Sequence, residues 1–157
     1  MLKMLRQRMQ DDKGFTLIEL MVVVLIIAIL IAIAIPTFLG LRTRAQDRAA
    51  QADLRNALTA AKAIYTDDEA YTNADAAALD AVEPSLTFVN DPTASTAPDY
   101  DVSVDSTADE FAAARLSASG TCFWIHEVAT GAGAGTFYGD GAGCAGSNAM
   151  GAAGAEW

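Results

Sequence analysis

Cysteine and histidine are scarce in this chain, which contains two cysteines, Cys122 and Cys144, and a single histidine, His126. Two cysteines exclude a zinc site made only of cysteines, because such a site needs four thiolates. One histidine excludes any site that requires two. His126 lies alone on a predicted strand, where a packed or surface role is more common than that of a catalytic base. We therefore expect no catalytic residues, no bound metal and no cofactor, and predict that the protein is not an enzyme.

Basic residues are also scarce, because ten lysines and arginines stand against twenty aspartates and glutamates, for a formal net charge of −10. This charge would repel phosphate groups and excludes bulk binding of nucleic acid. A hydrophobic content of 52% and a mean hydropathy of +0.24 contrast with that acidity. The contrast indicates two unlike segments within 157 residues, a length that allows one compact domain with an appendage.

The apolar segment is residues 15–39, which contain one charged side chain, Glu19, in 25 residues. As a helix this segment would be roughly 37 Å long, enough to cross a hydrocarbon core of about 30 Å. A helix is expected despite the many β-branched residues, because a lone strand leaves its backbone groups unsatisfied in lipid. Pro36 lacks a backbone N–H and should kink or interrupt the helix, and Gly40 is a second weak point.

A cleaved secretory signal is one interpretation of this segment. Residues 1–14 are basic, and Ala32-Ile33-Ala34 forms a small-residue cleavage motif before Ile35. The apolar run is longer than the usual core of a signal peptide, which has about 7–15 residues. Glu19 also argues against this interpretation, because a carboxylate inside an apolar segment is costly and is usually functional.

The stretch from Lys13 to Leu20 reads Lys-Gly-Phe-Thr-Leu-Ile-Glu-Leu, and an apolar run and Pro36 follow it. This pattern closely resembles the N-terminal signature of type IV prepilins and pseudopilins over about the first 40 residues. The resemblance implies that a membrane peptidase cleaves after Gly14 and that the new N-terminal residue, Phe15, is N-methylated. It also implies that Glu19 pairs with the terminal amine of a neighbouring subunit during assembly.

The resemblance implies an α+β pilin fold, in which a long N-terminal helix packs on a small antiparallel β-sheet. The expected segments are a cleaved leader (1–14), a transmembrane and filament-core helix (15–39), an amphipathic helix (40–65) and a globular head (66–157). The chain would cross the bacterial inner membrane once, with its N-terminus in the cytoplasm, before joining an extracellular pilus. Lysine and arginine are balanced on the two sides of the apolar run, so this orientation comes from the resemblance alone. Expected partners are further copies of the chain, the prepilin peptidase, the pilus assembly machinery and membrane lipid.

The amphipathic part of the helix carries two stripes. Apolar residues at spacings of three and four predict a face that packs on the head: Ala50, Leu54, Ala57, Leu58, Ala61, Ile64 and Tyr65. A basic stripe runs beside it, formed by Arg44, Arg48, Arg55 and Lys62. This stripe is either a solvated face or a surface that docks on a neighbouring subunit, since residues 63–114 hold twelve acidic side chains and no lysine or arginine.

The head is predicted to contain a short helix and four strands. Asn73 is the expected N-cap of a helix that continues to about Val82 and ends before Pro84. Residues 83–99 are expected to form a loop, because they include three of the four prolines. Strands are predicted at about 99–105, 110–118, 121–130 and 135–139, in an antiparallel meander. Since the head would lie outside the cell, we expect a disulfide between Cys122 and Cys144.

Two motifs suggest ligand binding and are not favoured. Asp99, Asp101, Ser103 and Glu110 match the first, third, fifth and twelfth places of a calcium loop, but Val104 stands where the loop needs glycine. A half-buried strand explains that segment better. The stretch from Gly141 to Gly146 matches a nucleotide-binding glycine pattern, but it does not connect a predicted strand to a helix.

Three functions remain open on the sequence alone. The leading hypothesis is a structural subunit that polymerises into a type IV pilus. The second is a minor pilin or a pseudopilin that serves DNA uptake or type II secretion. The third is a surface binding protein that is tethered to the membrane and does not polymerise.

Overall fold

The structure is a computed structural model that describes residues 14–141, 143–152, 154 and 157. The predicted leader, apart from Gly14, lies outside the described residues. The chain divides into two compact units, Met1–Leu41 and Arg42–Trp157, which we describe separately.

Helix α1 spans Leu17–Asp68 and is continuous through Pro36 and Gly40. An interruption at Pro36, one of the two outcomes predicted for that residue, is therefore wrong, and a kink at Pro36 stays a prediction. Pro36 removes one backbone N–H from the helix, and the helix continues on both sides of it. The hydroxyl of Thr37 donates to the carbonyl oxygen of Ile33 at 3.1 Å, which adds a side-chain hydrogen bond in the same turn. Apart from Phe15 and Thr16, the predicted segments 15–39 and 40–65 thus belong to one helix.

The second unit contains the part of α1 that packs on the head. The residues of α1 that are buried there are Ala50, Leu54, Ala57, Leu58, Ala60 and Ala61, and Ile64 and Tyr65 pack at the edge of the same core. The predicted apolar face is confirmed, because the 3.6-residue period of the helix carries these positions to one side.

Helix α2 spans Ala76–Val82 and ends where the sequence predicts. Its N-cap is Asp75, whose carboxylate accepts a hydrogen bond from the backbone N–H of Ala78 at 2.9 Å. The prediction of Asn73 as the cap is therefore wrong. Asn73 instead donates its side-chain amide to the carboxylate of Asp68 at 2.8 Å. Both residue types cap helices well, and the position of the first helical turn decides between them.

The sheet has five strands in the order β1-β2-β3-β4-β5. Their bounds are Phe88–Asn90, Val102–Ser106, Glu110–Leu116, Cys122–Val128 and Gly135–Gly141. Strands β2 to β5 form the predicted antiparallel meander, whereas β1 pairs in parallel with β2. The sheet is therefore mixed, and the prediction of a loop throughout 83–99 is wrong at β1. The α+β class, with a long helix packed on a small sheet, is confirmed.

Both faces of the sheet are covered. The face toward α1 contributes Val102, Val104, Phe111, Ala113, Phe123 and Ile125 to the core. On the other face, Cys122 and Ala114 pack with Cys144, near the short helix α3 (Gly146–Ala149). A Cβ atom on Gly146 would lie 2.5 Å from the backbone nitrogen of Asp105, so only glycine allows this close approach. The glycine-rich end of the chain is thus part of the packed head.

Candidate assembly site

The peptide bond expected to be cleaved lies just before the first turn of α1. Gly14, Phe15 and Thr16 precede the helix, which begins at Leu17. Gly14 is exposed, and the side chain of Phe15 is 83% exposed. A non-helical, exposed segment is the kind of backbone that a peptidase can reach, so nothing in the described residues obstructs the bond between Gly14 and Phe15.

Thr16 and Glu19 form a reciprocal cap at the start of α1. The carboxylate oxygen Oε2 of Glu19 accepts two hydrogen bonds from Thr16, from its backbone N–H at 2.8 Å and from its hydroxyl at 2.7 Å. The backbone N–H of Glu19 donates to the Thr16 hydroxyl oxygen at 3.3 Å. This is a capping box, which satisfies backbone donors at the helix start. The sequence signal was present as Thr-x-x-Glu, and the sequence analysis missed it.

This cap changes one inference about Glu19. The resemblance implies a partner for the carboxylate on a neighbouring subunit, and the structure adds Thr16 as a partner within the chain. A carboxylate has two oxygens that accept up to about four hydrogen bonds. Thr16 engages only Oε2. Capping and pairing with a neighbouring amine are therefore compatible.

The first unit presents an apolar surface along its whole helix. Every large hydrophobic residue from Leu17 to Leu41 is exposed, and Ile33, for example, is 66% exposed. The most apolar window of α1 has a mean hydropathy of 3.3, and none of that window is buried. By length and composition this helix could cross a membrane. An apolar surface of this extent needs a cover of lipid or protein.

The four cations of the predicted basic stripe have different environments. The ammonium group of Lys62 lies 2.9 Å from Glu127 Oε1, and the guanidinium of Arg55 lies 4.8 Å from the centre of the Trp157 ring. Arg44 and Arg48 are exposed and have no charged or hydrogen-bonding partner among the described residues. Two of the four therefore fasten α1 to the head, and two face solvent.

Two further polar contacts fasten α1 to the sheet. Asp53 forms an ion pair with Arg115 on β3. Burial raises the pKa of the Asp53 carboxyl, and the positive charge of Arg115 opposes that shift. Asp47 accepts hydrogen bonds from the hydroxyls of Ser117, at 2.9 Å, and of Ser119 in the turn before β4. Sequence reasoning missed these pairs because they join residues that lie about 60 to 70 positions apart.

The disulfide between Cys122 and Cys144 is present, as the sequence predicts, and it closes a sequence separation of 22 residues. The Cys144 carbonyl oxygen accepts a hydrogen bond from the backbone N–H of Ser95 at 2.7 Å, so the segment is also tied to the chain between β1 and β2. The disulfide thus joins the glycine-rich end to β4 and holds it against the sheet.

The calcium-loop alternative finds no support in the positions of its residues. Ser103 lies within β2 and donates its hydroxyl to the Thr93 carbonyl oxygen at 2.6 Å, and Glu110 begins β3 and lies 3.3 Å from His126 Nε2. Within the part of the chain that the structure describes, no group of three or more histidine, cysteine or acidic side chains is placed to hold a metal ion.

Comparison with known proteins decides the nature of the N-terminal segment. Residues 9–35 match the family model of the prokaryotic N-terminal methylation motif. The N-terminal segment is that of a type IV prepilin. Within this prepilin segment, the motif includes Gly14, Phe15 and Glu19, whose individual roles stay predictions.

Characterised relatives extend the similarity beyond the prepilin segment. The chain is 44% identical over 71 residues to the type IV wide pilus major component PilA4 of Thermus thermophilus, covering 45% of this chain and 54% of that protein. It is 44% identical over 62 residues to the type IV major pilin protein PilA of Myxococcus xanthus, covering 40% and 28%. The narrow pilus major component PilA5 of T. thermophilus is also 44% identical over 68 residues, covering 39% and 59%.

The chain therefore matches between about a quarter and three fifths of the length of these relatives. No solved structure matches the chain.

Proposed function

We propose that this chain is a structural pilin, which polymerises into an extracellular type IV pilus after its leader is removed. The observation that carries the proposal is the prepilin segment, with an exposed bond at Gly14 followed by an apolar helix that none of the described residues of the first unit covers. The three relatives support a major rather than a minor subunit, because all three are named as major pilins or major pilus components.

Cleavage after Gly14 would create the charge that assembly uses. The new amine of Phe15 is a cation at the edge of an apolar segment, and N-methylation leaves it cationic. A carboxylate from Glu19 of the next copy can neutralise it, and the attraction is stronger where water is excluded. Because an uncompensated charge in such a place is unfavourable, the pair favours assembly and fixes the axial register of neighbouring subunits.

The apolar helix would have two environments in turn. Before assembly, lipid covers residues 15–39 in the inner membrane, with the N-terminus in the cytoplasm. After assembly, the same residues of neighbouring copies cover one another in the filament core, and the head faces outward. The prepilin peptidase and the pilus assembly machinery are the partners in these steps. We also expect filament assembly to depend on the helix geometry at Pro36 and Gly40 and on the basic stripe.

The experiment that tests this function is intact-mass analysis with N-terminal sequencing of the protein from sheared cell-surface filaments. The expected result is a chain that begins at Phe15 and carries one additional methyl group. A chain that begins at Ile35 would indicate a secretory signal and would overturn the proposal. A correctly processed chain that is rare in the filaments would indicate a minor pilin or pseudopilin.

A tethered surface protein that does not polymerise is the second candidate function. The capping box favours it, because Thr16 gives Glu19 a structural role that needs no second subunit. A processed chain that stays entirely in the membrane fraction, in cells that assemble pili from other subunits, would support this candidate.

A further inference from the structure

A group of cations and a group of acidic residues lie at opposite ends of the second unit's part of α1, and neither forms an ion pair with any residue that the structure describes. The first is the cation pair Arg44 and Arg48, which lie four residues apart on one face of the helix. Asp47 is the nearest carboxylate in sequence, but it accepts hydrogen bonds from Ser117 and Ser119. Neither arginine forms an ion pair with Asp47, and both side chains of the cation pair are exposed.

The second group is the acidic end of α1, formed by Asp67, Asp68 and Glu69. The last turn of the helix contains no basic residue, although the negative end of the helix dipole favours cations there. All three side chains are exposed. Asp68 receives a hydrogen bond from Asn73, whereas Asp67 and Glu69 have no partner among the described residues. The acidic end is thus unfavourable in an isolated chain.

The other cations of the second unit are engaged, apart from Arg42. Lys62 pairs with Glu127, Arg115 with Asp53, and Arg55 lies over Trp157. The cation pair and the acidic end cannot neutralise each other within one helix, because about 20 residues at 1.5 Å each separate them by about 30 Å.

We propose that the cation pair of one copy of this chain docks on the acidic end of α1 in a second copy. The contact is heterologous, because different surfaces of the two copies meet, and a heterologous contact that does not close into a ring generates a helical filament. For parallel helices it requires an axial offset of about 30 Å between the two copies. This inference rests on the proposed function and names the surfaces by which filament subunits recognise each other.

Charge reversal with rescue tests the proposal in the cells that assemble the full chain. The double variant R44E/R48E should lower the yield of sheared filaments about tenfold, while the processed chain still accumulates in the membrane with its disulfide formed. Adding D67K and E69K to the same chain should restore the yield, because the two charged surfaces are then exchanged. R42E is the matched control, since Arg42 lies on another side of the helix, and it should leave the yield unchanged.

Cross-linking tests whether the cation pair of one copy lies close to the acidic end of another. A chain with R48C and D67C, treated with a short bis-maleimide after filament assembly, should give a ladder of multimers, and a chain with R42C and D67C should give monomers. The native cysteines do not interfere because they are joined to each other.

Wild-type filament yield from R44E/R48E, failure of the acidic reversal to restore assembly, or absence of the ladder in assembled filaments of the R48C/D67C chain would each overturn the proposal. Failure of the wild-type chain to appear in any filament would overturn the proposed function instead.

Discussion

Replacement of Glu19 by glutamine separates helix capping from charge pairing. Glutamine keeps an amide oxygen that can accept the two hydrogen bonds from Thr16, and glutamine also serves in a capping box. The change in local helix stability should therefore be small, whereas Glu19→Ala also removes the acceptor and should cost about 1 kcal/mol. Both substitutions remove the negative charge that we propose to neutralise the Phe15 amine of a neighbour.

The expected loss of assembly is large for both variants. Removing one partner of a buried ion pair costs about 3–5 kcal/mol, because the other charge is left uncompensated. At about 1.4 kcal/mol for each factor of ten, the association constant should fall by two to three powers of ten or more. E19Q should then behave like E19A in assembly while it retains the cap.

The assay compares filament yield with membrane-held protein. Sheared filaments and membranes from cells that express the wild type, E19Q or E19A are immunoblotted for the processed chain. Both variants should be processed and retained in the membrane, with filaments reduced at least a hundredfold. If E19Q forms filaments at the wild-type level and only E19A is impaired, then Glu19 acts as a helix cap and the pairing argument is refuted.

Three further outcomes test the head. Replacing Cys122 and Cys144 by serine should lower the free energy of unfolding of the detergent-solubilised chain by about 3 kcal/mol, measured by urea denaturation, and equal midpoints for the two proteins would contradict this. Burial raises the pKa of Tyr71 to about 12. Stability should therefore be complete below about pH 10, where unfolded tyrosine titrates, and fall by up to about 3 kcal/mol as the pH approaches 12, and Tyr71→Phe should remove this dependence. Leu54→Ala should destabilise the head by about 2–5 kcal/mol through a cavity under α1, whereas the exposed Thr59→Ala should change stability by less than about 1 kcal/mol in the same denaturation assay.

The predictions that held depend on local patterns. The period of the apolar residues from Ala50 to Ala61 fixes which face of α1 is buried, and the β-rich composition around Phe123 fixes β4. Such signals lie within a few residues of one another, so they can be recognised without knowledge of the rest of the chain.

Of the predictions that failed, one concerns a distant strand partner and the other the exact start of a short helix. Strand β1 has only three residues within a proline-rich stretch, and it forms because Phe88 is buried in the core and its backbone pairs with β2. The choice of Asp75 over Asn73 as a cap depends on where α2 begins. The parallel pairing has no signature in the adjacent sequence, because it is set by packing, whereas the Asp75 cap is a local contact with Ala78.

The sequence by itself determined the prepilin segment, the apolar helix and the two faces of its second half. Each of these is a pattern of residues that lie close together in the sequence, and the faces follow from the fixed period of the helix. Only the tertiary structure decided how the cations of the basic stripe are used. Lys62 and Arg55 lie beside Glu127 and Trp157 because β4 and the end of the chain are brought to α1 by folding. Arg44 and Arg48 have no such neighbour among the described residues, although Ser117 and Ser119 of the head reach the same turn of the helix at Asp47.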